Sequence, residues 1–82
     1  MMTLRNAEGK AVPFGAIIQD EDGSEVGVVG PEGQAYAAGL PEKGTLAVKW
    51  GSNVEQTCHV HFDMSIASEI AGYRMLDGMC SQ

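Results

Sequence analysis

The sequence predicts an all-β fold, a small antiparallel β-sandwich (transthyretin-like or Ig-like) or barrel of about seven strands. Three observations carry this reading. Between Val12 and Gly51, short apolar runs alternate with the turn clusters DEDG (Asp20–Gly23), GPEG (Gly30–Gly33) and LPEKG (Leu40–Gly44). Each cluster ends in glycine, the residue that reaches positive φ at least steric cost. Two later stretches, Thr45–Trp50 and Thr57–Met64, alternate apolar and polar residues in the period of a half-buried strand.

The 82 residues make one domain, near the lower limit of what a single core can hold. An apolar fraction of 44% is ordinary for a folded protein, and no apolar run approaches the roughly 18 residues of a membrane-spanning helix. Residues 1–10 are polar and read as a flexible lead-in, with Met1–Met2 resembling a start placed ahead of an excised domain; the folded module is expected over 11–82. Eleven acidic residues against five basic ones give a net charge of −6, with no basic stripe. That balance argues against nucleic acid and anionic lipid. It serves solubility, or contributes to holding a basic partner.

Along the chain, Val12–Ile18 is the first expected strand, with Pro13 near its start where a missing N–H is tolerated. Asp20–Ser24 is an acidic hairpin turn with Gly23 in the left-handed position. Glu25–Gly30 returns as a Val-rich strand, with Val26 and Val28 on one side and Gly27 and Val29 on the other. Gly27 inside it signals a bulge or a close backbone approach. Gln34–Ala38 places Tyr36 on a face with Gln34 and Ala38. Leu46, Val48 and Trp50 then point inward, as do Cys58, Val60, Phe62 and Met64, leaving His59, His61 and Asp63 outside. In the tail, Ile66, Ile70 and Tyr73 fall at helical spacing, so a short helical turn competes with a last strand over 73–76 closed by an Asp77-Gly78 turn.

Two cysteines, Cys58 and Cys80, allow one internal pairing. A bridge closing that loop would stabilise by roughly 3 kcal/mol and would imply an oxidising compartment; two buried free thiols are the alternative. His59, His61 and Asp63 share a strand face and are ligand types, but a solvated sheet face explains them and no metal is expected. The acids at 20–25 lack the ligand spacing of an EF-hand and read as a hairpin turn. The glycines fit no dinucleotide or phosphate loop. No nucleophile–base grouping has a signature, so neither catalysis nor a cofactor is expected.

The order and spacing of several phrases resemble a known family. PFGA (Pro13–Ala16), D-x-x-G-x-x-V-G-x-V-G (Asp20–Gly30), G-Q-x-Y (Gly33–Tyr36), G-L-P (Gly39–Pro41), L-x-V-x-W-G (Leu46–Gly51) and Cys58 look like the C-terminal domain of bacterial outer-membrane fimbrial ushers, the pores of the chaperone–usher pathway. The resemblance implies a β-sandwich at the periplasmic face of the outer membrane. It also implies chaperone–pilin subunit complexes and the rest of the usher (pore, plug and N-terminal domain) as partners. No small-molecule substrate is implied, and the isolated domain is expected to be monomeric. The family often carries a cysteine pair here, in agreement with Cys58–Cys80. For the partner-binding surface the expectation is Val26, Val29, Tyr36 and Leu40, apolar positions that a sandwich does not require inside; core packing is the competing reading. A transthyretin-like or carboxypeptidase-regulatory-like spacer and a carbohydrate-binding module are the alternative functions, the latter weakened by an inward-patterned Trp50.

Overall fold

The computed structural model describes residues 2–66, 68–70 and 73–82, without the side chains of 66, 68–70 and 73–75. Within them the chain is all β apart from short 3₁₀ turns. Its eight strands are β1 (Met2–Arg5), β2 (Ile17–Gln19), β3 (Glu25–Val29), β4 (Gln34–Ala37), β5 (Lys43–Lys49), β6 (Thr57–Asp63), β7 (Ser68–Ile70) and β8 (Tyr73–Met79). They hydrogen-bond in the order β6-β5-β2-β3-β4-β1-β8-β7.

The edge strand β6 meets the C-terminal tail that follows β8. His59 on β6 donates its N–H to the Ser81 carbonyl at 2.8 Å, and Ser81 donates back to His59 at 2.9 Å. The Cys58–Cys80 disulfide lies beside that bridge, with Cα atoms 5.4 Å apart. Both cysteines are buried. The Cys80 N–H also bonds the Arg5 carbonyl at 2.8 Å, so the tail ties β6 to β1 and closes the sheet around its core.

The core follows the strict alternation of β5 and β6. Leu46 pairs with Val60 and Val48 with Cys58, and all four are buried. Ile18 on β2 pairs with Val48 and extends this inner layer. Val29 and Ala35 continue it across β3 and β4. Trp50 and Met64, expected inside, pack against this cluster while partly buried.

Several expectations need correction. Residues 1–10 are not a lead-in throughout: Met2–Arg5 is a strand between β4 and β8, and Met2 and Leu4 are buried in the core. Pairing of β1 with β8 is parallel, the exception to an otherwise antiparallel sheet. The first expected strand is shorter, because Pro13–Ala16 forms a turn: the Ala16 N–H bonds the Pro13 carbonyl at 3.3 Å. Gly15 takes φ 85°, the positive φ that a type II turn needs at its third residue. In the tail, 68–70 and 73–79 are strands, and β8 runs straight through Asp77-Gly78. The helical turn found near there is a 3₁₀ turn at Met64–Ile66. Ala67, Ala71 and Gly72, part of the helical reading, lie outside the described residues.

Candidate partner-binding surface

The outer face of the sheet carries the candidate site. Cross-strand pairs of β5, β2, β3 and β4 set Lys49 opposite Ile17, Ile17 opposite Val28, and Val28 opposite Tyr36. These residues form one row perpendicular to the strands, facing away from the core. Val28 is 43% exposed and Tyr36 49% exposed, with Ile17 half-buried between Val28 and Lys49. The Tyr36 ring lies over Gly30, and its hydroxyl donates to Gln34 Oε1 at 2.8 Å. A side chain at position 30 would collide with that ring, so the glycine lets the aromatic lie flat along its strand.

Phe14 extends the apolar surface at the same end. It sits on the Pro13–Ala16 turn and is 76% exposed. The Gly15 N–H bonds the Val29 carbonyl at 2.7 Å, which fixes this turn beside Gly30. Monomeric domains leave large aromatics and valines uncovered singly; a contiguous row on hydrogen-bonded strands is the form of a preorganised contact surface.

Of the four residues expected at the surface, Tyr36 alone is exposed. Val29 is buried in the core and Val26 packs against it, as does Leu40. For Val26 the cause is a bulge. Ile18 pairs with Gly27 but Gln19 pairs with Glu25, so Val26 is an extra residue on β3 and the period-two phase shifts there. Past it, ordinary alternation sets Val28 outward beside Ile17 and Val29 inward. Gly27 permits the shift, since a Cβ there would run into the Tyr36 carbonyl oxygen and the Ala37 Cα. Sequence reasoning missed Val28, Ile17 and Phe14. For Val26, Gly27 was the available signal, a bulge marker directly after it.

The polar outer positions lie on β5 and β6. Thr45 Oγ1 and His61 Nδ1 are 2.8 Å apart. Among the described residues no group of three or more His, Cys, Asp or Glu is placed to hold a metal. The acidic hairpin is held by its own chain: Asp20 Oδ1 accepts the N–H groups of Asp22 and Ser24, each at 3.0 Å. Gly23 takes the left-handed position with φ 84°.

A closed β domain sealed by one disulfide, with an apolar row on its outer face, has the form of a small extracytoplasmic module. Residues 1–65 match the family model of the PapC C-terminal domain, and the chain belongs to that family. It is 40% identical over 82 residues to the outer membrane usher protein LpfC of Salmonella typhimurium, and 38% identical to the usher PsaC of Yersinia pestis. In both cases 98% of this chain aligns to 10% of the relative, so the chain spans about one-tenth of their length. Among solved structures, the C-terminal domain of the Caf1A usher superposes with a TM-score of 0.83 at 33% identity, covering 98% of this chain and 92% of that one. Conserved hydrophobic clusters on the surface of that domain are important for F1 antigen assembly. The crystal structure of the PapC usher C-terminal domain gives a TM-score of 0.79 at 30% identity, covering 99% and 95% of the two chains. PapC in the P pilus tip assembly intermediate with PapD, PapK and PapG gives 0.76 at 32% identity, over 96% of this chain and 9% of that one.

Proposed function

We propose that this domain is the periplasmic C-terminal module of an outer-membrane usher and that it holds chaperone–subunit complexes during pilus assembly. The observation that carries the reading is the row Ile17–Val28–Tyr36 with Phe14 beside it, apolar, outward-facing and fixed on paired strands. Burying such a row against a partner gains the apolar transfer energy at little cost in ordering, because the strands are already rigid. Two relatives support it: PapC in its assembly intermediate with PapD, PapK and PapG, and the Caf1A domain with its surface hydrophobic clusters. The module positions subunits; the reading requires no covalent chemistry.

Titration of the purified domain with a periplasmic chaperone–pilin complex, with free chaperone as control, tests this. Saturable binding is expected, and Val28→Ser with Tyr36→Ala should weaken it at least about tenfold while the thermal midpoint stays near that of the parent. Absence of binding to several complexes would leave a structural spacer as the better reading.

A further inference from the structure

We propose that the partner surface seated on the Ile17–Val28–Tyr36 row carries a basic rim, whose lysine or arginine side chains face carboxylates flanking Val28 and Tyr36. The inference rests on the function proposed above and specifies the chemistry of the face of the chaperone–subunit complex that docks here. Glu25 is exposed and paired with Gln19, one outward step along β2 and β3 from the Ile17–Val28 pair. Glu32 is exposed in the turn between Gly30, under the Tyr36 ring, and Gln34, which holds the Tyr36 hydroxyl. Asp77 is exposed on β8 opposite Thr3, itself opposite Gln34. Among the described residues, none of these carboxylates has a hydrogen bond or ion pair to occupy it.

The basic residue of the row is Lys49, at its far end beside Ile17. Arg5, two residues along β1 from Thr3, lies beside Asp77 on the same face, so the acidic side rests on Glu25 and Glu32, with Lys49 past Ile17. A partner docked in reverse would set like charges together, so the arrangement fixes orientation as well as sign. The net charge of −6 adds long-range attraction for a basic surface. Apolar contact at the centre holds the complex, and the flanking charges govern how fast it forms.

The test is stopped-flow or surface-capture kinetics of the domain with a chaperone–pilin complex at low and high salt. Glu25→Lys with Glu32→Lys should lower the association rate about five- to tenfold at ~20 mM salt and change dissociation less than about twofold. At ~500 mM salt, where screening acts within roughly 4 Å, the variant and parent should associate within about twofold of each other. Glu25→Gln with Glu32→Gln should fall between them. If Val28→Ser with Tyr36→Ala loses binding but the reversed charges leave the association rate and its salt dependence unchanged, this proposal is overturned and the binding role stands. If Val28→Ser with Tyr36→Ala binds as the parent does, the row is not the site and both readings fail at this face. Thermal melts of each variant confirm that the fold is retained.

Discussion

Val60 on β6 packs directly onto Gly78 on β8: a Cβ at position 78 would lie 2.8 Å from Val60 Cγ2 and 3.1 Å from Leu4 Cδ2. Gly78 faces the interior opposite Leu4, and its missing side chain is what lets two fully buried residues meet over the strand. Gly78→Ala therefore overpacks the core and should lower stability by about 1–3 kcal/mol. Urea or thermal unfolding checks this. An unchanged midpoint would mean that Val60 and Leu4 can move aside without loss.

That glycine also shows what was legible in the sequence and what was not. Asp77-Gly78 has turn composition, yet here it is strand interior, and composition cannot separate a glycine needed for φ from one needed for space. The strands β5 and β6 were legible because seven residues each give their alternation room to show. Strand β1 was not: it has four residues, and its core pair Met2 and Leu4 is embedded in a polar stretch. Its inward face is set by pairing with Ala35 and Leu76, far along the chain. The surface row was half legible. Tyr36 stood out as an aromatic among alanines, whereas Val26 was placed on the side of Val28 because the bulge shows only once the partner strand is known.

Two adjacent valines make the facing of β3 testable. Val29 is 1% exposed in the core and Val28 is 43% exposed on the outer face. Val29→Ala should cost about 2 kcal/mol through lost burial and the cavity left behind. Val28→Ala should change stability by less than about 0.5 kcal/mol and weaken binding of a chaperone–pilin complex. Paired melting and titration experiments decide, and equal stability losses would place both valines inside.

Reduction of the disulfide should act on the seam. Cys58 and Cys80 are 22 residues apart in sequence, and the His59–Ser81 bridge beside them supplies one pair of backbone hydrogen bonds. On the chain-entropy model the bridge contributes roughly 3 kcal/mol. For a domain this small that is a large share of total stability. Cys58→Ser with Cys80→Ser should lower the thermal midpoint markedly, and hydrogen exchange at Ser81 and His59 should quicken before the rest of β6. Uniform loss of protection would show that the seam and core unfold together.

Asp63 provides a pH-dependent probe of the end of β6. Ser65 donates its hydroxyl to Asp63 Oδ1 at 2.6 Å and its backbone N–H to the same oxygen at 2.9 Å. These bonds, the hydroxyl's first, hold the carboxyl below the usual carboxylate range, and Lys43, its cross-strand partner, adds attraction. A folded pKa below the unfolded one means that the contribution to stability is present above about pH 4 and is lost as pH falls through the folded value. Ser65→Ala removes the larger cause, so the Asp63 carboxyl should titrate nearer its ordinary value by carbon-13 NMR. Lys43→Met should move it less and in the same direction. If Lys43→Met gave the larger change, the charge on β5 rather than the Ser65 hydroxyl would be what holds this carboxylate ionised.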